Sequence, residues 1–540
     1  MTRIDERVST HVYKVKRISK EEMESIAGVC VYDQPPFCNA ACPLKLDVKA
    51  MLKAAAENDF KKAFKIYESI APFPLILSAG CGAPCEEKCR LCELGDGIAI
   101  GDIERAVALS GGAGEKRSIF RVRKKKKAAV FGSGLFALLL AGELEKKGYP
   151  VTAICGEADE EEYLRVAAGF LREDDFYTEL KRLRGKDIAF EFNAEMTREL
   201  FEEKRGGFDV LCASEKAALD IFPGAVRDEG IMLMESEGLL TGGGETVLEA
   251  ALGARKAALT ADRLAQGIDP RSARGEEGPV TSRLYTNPDL ARGLIRIKGC
   301  ESGYTREQAA EEAGRCMQCH CDECLRGCAY LRRFNKHPGL LSREIYNNTQ
   351  IIMGDHPLNR AMNACALCGQ CTVTCPHGFD MAHVCRTARE NMVDTDKMPL
   401  AAHEFALLDM LFSNGEAYLC RKQPGHSHCR YVFFPGCQAA AIAPEAVIAA
   451  YEDLCTRLKG GVALMLGCCG AIAHWAGRGE MYGEVRDKIA AELAALEDPV
   501  IIAGCPSCMK LLSEQDMAET VGIWTVLRDR GLPDGARGGG

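Results

Sequence analysis

The sequence lacks three features that define common classes of protein. No hydrophobic run is long enough to span a bilayer, because the longest, Ala128 to Gly142, is short and interrupted by glycine. The formal net charge of −9 is not the positive balance typical of nucleic-acid-binding proteins. The first 20 residues are charged and contain no apolar segment, so we expect no secretory leader and a cytoplasmic protein.

Cysteine, by contrast, is abundant, with 28 among 540 residues. In a reducing compartment so many thiols favour metal binding over disulfides. Runs of three or four cysteines, two or three residues apart and closed by Cys-Pro, are typical of [4Fe–4S] clusters rather than of zinc sites. Thiolates also suit iron and sulfide. The sequence therefore predicts a multidomain α and α/β protein that holds several iron–sulfur clusters.

The cysteine groups and the hydrophobic pattern divide the chain into four domains and a linker. They predict a helical two-cluster domain, a Rossmann-like α/β domain, a linker, a helical ferredoxin domain and an α/β cysteine-rich domain, at residues 1–120, 124–266, 267–299, 300–415 and 416–540 respectively. In the last domain the cysteines follow short apolar strands, and open α/β sheets place their sites at the carboxyl ends of strands.

A dinucleotide-binding pattern opens the second predicted domain. A strand, a glycine turn and a helix precede a second strand, and Gly132, Gly134 and Ala137 match the G-x-G-x-x-G/A spacing. Such a turn lets the backbone approach a pyrophosphate at the helix N-terminus.

Two cysteine runs mark the predicted ferredoxin domain. The second follows C-x2-C-x2-C-x3-C-P throughout, whereas Gln318 stands where the first run needs a cysteine. Either Cys316 or Cys319 must then supply that ligand. Because the fourth cysteine of each run ligates the other cluster, Cys375 is predicted to join the first run and Cys328 the second. The predicted ligands are Cys316, Cys319, Cys321, Cys324, Cys328, Cys365, Cys368, Cys371 and Cys375.

The first two domains resemble the glutamate synthase small subunit and the N-terminal part of dihydropyrimidine dehydrogenase. The matching residues are C-x2-D-x4-C-x3-C-P from Cys30, C-x3-C-x3-C from Cys81 and IGDIER from Ile100. The resemblance implies two [4Fe–4S] clusters with crossed ligands, one on Cys30, Asp33, Cys38 and Cys89 and the other on Cys42, Cys81, Cys85 and Glu104. Asp33 replaces the family's cysteine, and Cys92 is an alternative ligand.

The same resemblance implies FAD in the Rossmann-like domain, with departures from the family pattern. Cys155 takes the place of the acidic residue that holds the adenosine ribose, and Glu157 follows two residues later. Gly243 and Gly244 fall in the late glycine motif, where Gly244 replaces an aspartate. The family's nicotinamide domain does not fit in the interval between the motifs, so no NAD(P)H binding is expected. An empty structural scaffold is the alternative to bound FAD.

The last two domains resemble subunits of heterodisulfide reductase and the iron–sulfur subunits of lactate and glycerol-3-phosphate oxidoreductases. The shared pattern is one cysteine, then a Cys-Cys pair, then C-x2-C at long spacing. It implies a noncubane [4Fe–4S] cluster on Cys437, Cys468, Cys469, Cys505 and Cys508. This chain has one such motif, whereas heterodisulfide reductase has two facing each other.

These features predict an electron-transfer subunit of an anaerobic, heterodisulfide reductase-like oxidoreductase complex. Its expected cofactors are about four cubane clusters, one noncubane cluster and FAD. The alternatives are a catalytic disulfide reductase and an NAD(P)H-linked flavoenzyme, so whether the chain is itself an enzyme stays open. His474, just past the Cys-Cys-Gly motif, is the candidate proton donor, although a structural histidine is the simpler interpretation. Expected partners are a hydrogenase, formate dehydrogenase or other dehydrogenase, or a ferredoxin.

Overall fold

The computed structural model describes residues 19–110, 123–272, 274–275, 277–299, 303–398 and 403–531. These residues form two compact units. The first unit is Val31–Cys321, and the second unit joins the described residues up to Cys30, including helix α1 (Lys20–Ala27), to those from Asp322 onwards. The charged N-terminus and Cys300 lie outside the described residues. The predicted multidomain α and α/β fold is confirmed.

The first unit begins with short helices around a buried apolar core. Asp47 and Asp59 start two of them by accepting hydrogen bonds from the backbone N–H groups of Ala50 and Lys62. Two of the helices, Phe37–Ala41 and Pro74–Gly80, end just before Cys42 and Cys81 and leave these two cysteines beside the core. The helices are α2 (Phe37–Ala41), α3 (Val48–Ala56), α4 (Phe60–Glu68), α5 (Pro74–Gly80), α6 (Pro84–Glu87) and α7 (Ile100–Ser110), with a 3₁₀ turn at Arg90–Glu93.

A Rossmann-like sheet follows in the same unit, with strand order β3-β2-β1-β4-β6-β5. Only β5 runs antiparallel to its neighbour. The central strand β1 is buried along its whole length, because helices cover both faces of a parallel sheet. The strands are β1 (Ala128–Phe131), β2 (Val151–Ile154), β3 (Ile188–Glu191), β4 (Val210–Ser214), β5 (Leu233–Met234) and β6 (Leu239–Gly242). The helices are α8 (Leu135–Lys146), α9 (Glu160–Ala168), α10 (Glu173–Arg184), α11 (Arg198–Arg205), α12 (Glu215–Ile221) and α13 (Val247–Gln266).

The chain after α13 returns to the helical part of the first unit. The Val280 N–H donates to the Ala40 carbonyl at 2.8 Å, and the Asp96 N–H donates to the Leu294 carbonyl at 2.8 Å. Helix α14 (Arg306–Gly314) then packs on α3 and α7. Thus the predicted linker makes defined hydrogen bonds, and residues 303–321 fold with the first unit although the sequence grouped them with the ferredoxin domain.

The ferredoxin part of the second unit is helical. Helix α1 packs against α17, and a π-helical turn at Asn347–Ile351 follows α17. The helices are α15 (Glu323–Gly327), α16 (Ala329–Phe334), α17 (Pro338–Tyr346), α18 (Asn359–Ala364), α19 (Gln370–Thr374), α20 (Met381–Asp394) and α21 (Glu404–Asn414).

The cysteine-rich part of the second unit is built on a sheet of order β11-β10-β8-β9-β7, in which only β7 is antiparallel. Its strands are β7 (Leu419–Arg421), β8 (Tyr431–Phe434), β9 (Val462–Leu466), β10 (Val500–Ala503) and β11 (Thr520–Gly522). Its helices are α22 (Cys437–Ile442), α23 (Pro444–Arg457), α24 (Ala471–Trp475), α25 (Gly479–Ala495), α26 (Pro506–Glu514) and α27 (Ile523–Arg530). Among all the described residues, no helix combines the length and apolar character needed to cross a membrane.

A buried arginine ties the ferredoxin helices to the cysteine-rich part. The side chain of Arg389 on α20 is 2% exposed. Its guanidinium donates to the carbonyl oxygens of Met362, Cys365 and Trp475 at 2.5 to 2.9 Å. Because burial disfavours a charge, burial is the first cause of the lowered pKa of Arg389. The carbonyl groups stabilise this charge by accepting its hydrogen bonds. They would have no comparable hydrogen-bond donor if the Arg389 side chain were removed.

We expect Arg389→Ala to lower the stability of the second unit by about 3 kcal/mol, because buried carbonyl groups lose a charged donor. Thermal unfolding of the metal-loaded chain, followed by circular dichroism, measures this as a lower midpoint. Arg360→Ala on the exposed side of α18 is the matched control and should leave the midpoint unchanged. Equal midpoints for the two variants would contradict the structural role of Arg389.

Candidate iron–sulfur sites

The five cysteines of the cysteine-rich part meet at one edge of its sheet. Cys437 follows β8, the pair Cys468-Cys469 follows β9, and Cys505 follows β10. These strands are parallel, so their carboxyl ends lie side by side. Cys508, in the first turn of α26, completes the group.

Hydrogen bonds link four thiols of this group, Cys437 to Cys468, Cys468 to Cys469 and Cys469 to Cys508. A hydrogen bond with Cys468, followed by burial, raises the pKa of Cys437 far above its ordinary value. A hydrogen bond with Cys468 lowers the pKa of Cys469, but the interaction with Cys508 and burial outweigh it, so the pKa of Cys469 is raised. Uncharged thiols are thus favoured here in the absence of metal. Bound iron reverses that preference, because it is the thiolate that ligates metal.

A glycine leaves room for this group of thiols. Gly436, just before Cys437, has a positive φ of 85°, a backbone conformation that favours glycine. A Cβ atom there would lie 3.2 Å from the Cβ of Cys505 and 3.3 Å from the Sγ of Cys508. A side chain at residue 436 would therefore enter the space between the cysteines.

The carboxyl-terminal ends of the two cysteine runs adopt the same local structure. The Cys328 N–H donates to the Cys324 carbonyl and the Cys375 N–H to the Cys371 carbonyl, both at 2.9 Å. Helices α15 and α19 pack closely, since a Cβ at Gly327 would lie 2.8 Å from the Thr374 side chain. One apolar core of this part contacts the thiols of Cys324, Cys328, Cys365, Cys371 and Cys375, whereas Cys368 is exposed.

One cysteine that the sequence left isolated also lies in this part of the structure. Cys385 on α20 is fully buried, and its Sγ is 3.6 Å from the hydroxyl of Tyr330. A hydrogen bond with Cys385 is the main cause that lowers the pKa of Cys365 to about 7. Cys385 therefore acts on a predicted ligand, and its sequence spacing carried no signal of this contact.

In the first unit, three cysteines lie close to a buried glutamate. Glu104 on α7 is 4% exposed, and burial raises its pKa to about 8, with the Tyr67 hydroxyl partly opposing the rise. The Glu104 charge also raises the pKa values of Cys81 and Cys85, after burial. Cys42 belongs to the same group, and its Sγ accepts a hydrogen bond from the Leu46 N–H at 3.4 Å. A buried carboxylate among thiols fits a cluster iron, which supplies the missing positive charge.

The structure distributes the remaining N-terminal residues differently from the family pattern. Cys38 and Cys89 lie near each other and near Cys316 and Cys319, whose charges, after burial, raise the pKa of Cys38. Asp33 is exposed. Cys30 belongs to the second unit.

The alternative ligand Cys92 is also exposed. Its Sγ donates to the Glu86 carbonyl oxygen at 3.4 Å. This contact directs the thiol to the backbone of Glu86.

The Rossmann-like domain offers a turn suited to a phosphate. Gly132 and Gly134 have positive φ angles of 85° and 98°, and α8 begins after Gly134 without a side-chain cap, so its first N–H groups are available. Ala137 is fully buried against the sheet. One carboxylate oxygen of Glu157, Oε2, is buried without a hydrogen-bond partner among the described residues. A ribose hydroxyl would satisfy it.

The late glycines of this domain serve close packing. A Cβ at Gly243 would overlap the carboxylate of Glu215, and one at Gly244 would lie 2.5 Å from the backbone nitrogen of Ala250. Gly244 therefore needs glycine to let the chain approach the backbone of α13, whereas at Gly243 the flexible Glu215 side chain could move aside.

His474 lines a cavity of about 500 Å³ in the second unit. The cavity also contacts Cys368 of the ferredoxin part and Ser507, which lies between the last two cysteines. The Nη1 of Arg386 is 3.4 Å from the Nε2 of His474. Burial and then the Arg386 charge lower the pKa of His474, so the imidazole is neutral at pH 7.

No three His, Cys, Asp or Glu side chains of the described residues converge tightly enough to hold a single metal ion. A cubane cluster presents four separate irons to its ligands, so its thiolates lie further apart than those of a zinc site.

Comparison with known families finds three matching segments. Residues 7–112 match the family described as dihydropyrimidine dehydrogenase domain II, 4Fe-4S cluster. Residues 315–380 match the 4Fe-4S dicluster domain, and residues 431–513 match the cysteine-rich domain family.

Curated relatives cover smaller parts of the chain. The NADPH-Fe(3+) oxidoreductase subunit beta of Geobacter sulfurreducens is 28% identical over 230 residues, covering 40% of this chain and 33% of the relative. The NADP(+)-dependent formate dehydrogenase subunit beta of Moorella thermoacetica is 28% identical over 159 residues, covering 25% and 21%. The glutamate synthase [NADPH] small chain of Azospirillum brasilense is 29% identical over 146 residues, covering 25% and 29%. This chain thus spans about a third or less of each relative.

The matches define the class: this is a multidomain iron–sulfur protein with [4Fe–4S] domains. More particularly, it joins a dihydropyrimidine dehydrogenase-type two-cluster domain to a dicluster domain and a cysteine-rich domain, which confirms the predicted resemblances to these families. The similarity to the glutamate synthase small chain is also confirmed.

We expect Glu104→Ala to lower the iron content of the anaerobically purified chain, because one buried ligand position is lost, and Glu104→Cys to restore it. Iron analysis and EPR of the reduced protein measure the change. Asp102→Ala, on the exposed side of the same helix, is the control and should retain full iron. Unchanged iron and EPR signals in Glu104→Ala would show that this carboxylate is not a ligand.

Proposed function

We propose that the chain is an electron-relay subunit of a heterodisulfide reductase-like oxidoreductase complex, with four cubane clusters and one noncubane cluster. The observation that carries the proposal is the cavity beside His474. Its walls include Cys368 of the ferredoxin part, while Pro506, Ser507 and Lys510 of α26 come from the helix that bears Cys508. A small molecule in this cavity would therefore adjoin ligands of both kinds of cluster.

The side chains of the cavity favour a polar substrate. The walls carry two cations, Arg386 and Lys510, and two carboxylates, Asp380 and Glu514, which offset each other. We infer thiol–disulfide chemistry at this site. Reduction of a disulfide breaks one S–S bond, takes up two electrons and two protons, and releases two thiols. When bound, the noncubane cluster would supply the electrons, and the chain must supply the protons.

His474 is suited to move one of those protons. Since Arg386 can only donate, the Nε2 atom of His474 accepts from it, and the neutral imidazole carries its proton on Nδ1. In thiol oxidation the neutral ring can accept the proton of a thiol, and in disulfide reduction the imidazolium, formed by uptake of a proton from solvent, can donate that proton to the departing thiolate. The ring of Tyr482, 4.8 Å from that of His474, helps fix its orientation.

FAD is proposed for the Rossmann-like domain. The uncapped start of α8 and the unsatisfied oxygen of Glu157 support binding of a pyrophosphate and a ribose respectively. A flavin would exchange electron pairs for single electrons before they enter the clusters.

The partners are proposed from the relatives. Two of them are beta subunits, of a formate dehydrogenase and of an NADPH-Fe(3+) oxidoreductase. By analogy, a dehydrogenase subunit, a hydrogenase or a ferredoxin would exchange electrons with this chain. A catalytic disulfide reductase is the second candidate, and the same cavity favours it, because the cavity adjoins the proposed terminal cluster.

We expect His474→Gln to slow reoxidation of the chemically reduced chain by a soluble disulfide roughly 100-fold, because a positioned proton donor is lost. Stopped-flow absorbance of the clusters measures the rate, and iron content should not change. His428→Gln, an exposed histidine elsewhere in the second unit, is the control. A wild-type rate in His474→Gln contradicts its role, and a wild-type chain that no disulfide reoxidises restricts the function to electron relay.

The pH dependence provides a further check on His474. Because its pKa is lowered, the neutral ring persists from pH 8 to below its ordinary value of 6.5. Thiol oxidation, which needs the neutral ring as a proton acceptor, should stay constant over that range and fall only at lower pH. A fall centred above 6.5 that His474→Gln abolishes would contradict the lowered pKa.

We expect Glu157→Gln to lower the flavin content of the purified chain at least tenfold, because the carboxylate that would hold the ribose loses its charge. Flavin released by denaturation is measured by fluorescence. Glu195→Gln, an exposed residue of the same domain, should retain wild-type flavin. Absence of flavin from the wild-type protein would make this domain a structural scaffold.

A further inference from the structure

Four cysteines from distant parts of the sequence meet in the first unit. Cys38, Cys89, Cys316 and Cys319 are all half-buried and pack against the same apolar core. Cys316 and Cys319 reach this place because α14, which precedes them, packs on α3 and α7. We propose that these four thiols hold one [4Fe–4S] cluster, in place of the set of Cys30, Asp33, Cys38 and Cys89 that the family pattern implies.

The loop of Cys316 and Cys319 has the backbone of a cluster-binding turn. Gln318 has a positive φ of 51°, and Leu367, at the matching place in the regular run, has a positive φ of 52°. Such angles are uncommon outside glycine. The two C-x2-C turns therefore share a left-handed residue just before the second cysteine, which supports a joint role of Cys316 and Cys319 at one cluster rather than a role as alternatives.

Hydrogen bonds fix this loop to α3. The Lys49 Nζ donates to the Cys319 carbonyl at 2.9 Å. The Gln318 side-chain amide donates to the Lys49 carbonyl at 3.3 Å and to the Cys316 Sγ at 3.4 Å. The Gln318 side chain, which interrupts the ferredoxin motif, thus stabilises this loop in the first unit.

A buried ion pair anchors the helix before the loop. Arg315 and Glu312 are 2.5 Å apart and almost fully buried. Arg315 also donates to the Asp96 carbonyl at 2.6 Å, and Glu312 accepts from the Ala99 N–H at 3.0 Å. These contacts hold the loop beside Cys89, and the Arg315 charge offsets part of the negative charge that four thiolates bring.

Mutual effects of the thiols agree with this grouping. Burial is the main cause that raises the pKa of Cys316 to about 11, and the nearby charges of Cys319 and Cys89 also raise it. Asp33, by contrast, is exposed to solvent. The proposed set is therefore all-cysteine.

A separate observation concerns Cys30. It packs against the ferredoxin core that also contacts Cys324 and Cys375. A Cβ at Gly339 would lie 2.9 Å from the Cβ of Cys30, so the glycine lets Cys30 approach α17. We infer that Cys30 is a ligand of the ferredoxin cluster and replaces the cysteine that is missing at Gln318.

Iron counts of combined variants test the first assignment on the full-length, anaerobically purified chain. Cys38→Ala/Cys89→Ala should lack about four irons, and adding Cys316→Ala/Cys319→Ala should remove no more. In a Cys324→Ala/Cys375→Ala background the same addition should remove about four further irons. The proposal is overturned if Cys316→Ala/Cys319→Ala removes further iron in the Cys38→Ala/Cys89→Ala background and none in the Cys324→Ala/Cys375→Ala background.

The same design tests Cys30. Cys30→Ala should lower iron in the Cys38→Ala/Cys89→Ala background but not in the Cys324→Ala/Cys375→Ala background. The reverse result would place Cys30 with Cys38, as the family pattern implies.

Conservative variants keep the test valid if multiple alanines disturb folding. Cys319→Ser should shift the reduction potential of the EPR signal that Cys38→Ser also shifts, and Asp33→Asn should leave every signal unchanged. A shift with Asp33→Asn and none with Cys319→Ser overturns the assignment.

The inference needs clusters in the first unit but does not need the proposed electron flow. A wild-type chain without iron would refute the cluster account as a whole. An iron loss that is additive in the wrong background would refute only the ligand set.

Discussion

Ligation of buried thiolates by iron is the interaction on which both units depend. The protein places groups of cysteines in poorly solvated positions, where burial and neighbouring thiols raise the pKa of several of them, as at Cys85 and Cys437. Glu104 is buried among such thiols with its pKa raised to about 8. Without metal the raised pKa values favour the protonated groups, because the negative charge of one ionised group would disfavour ionisation of its neighbours. A cluster removes the protons and satisfies the ligands, so cluster binding and folding are coupled.

The scaffold positions ligands by the ends of its regular elements. In the cysteine-rich part, three parallel strands bring their carboxyl ends together, and Gly436 keeps the space between the thiols clear. In the ferredoxin part, α15 and α19 repeat one local structure and pack at Gly327. Rigid elements also join the parts of the second unit, since Arg389 links carbonyl groups of both. Such links would keep neighbouring clusters at a constant separation, which electron transfer requires.

Much of this arrangement was predictable, because cysteine spacing reflects the geometry of a cluster. The five cysteines of the cysteine-rich part could be grouped from their positions after apolar strands, and the three-cysteine set with Glu104 from its resemblance to a known family. The partners of Cys316 and Cys319 could not be predicted, since the fold of α14 against α3 is a long-range packing event. The roles of Cys385 and Arg389 could not be predicted from the sequence either, because a single residue on a helix belongs to no motif whose spacing indicates its contacts.

The content of iron, acid-labile sulfide and zinc in anaerobically purified full-length protein tests the central claim most directly. Five four-iron clusters require about 20 irons and as many sulfides per chain, with little zinc. A colourless protein that holds zinc, or no metal, at these cysteines would contradict the account.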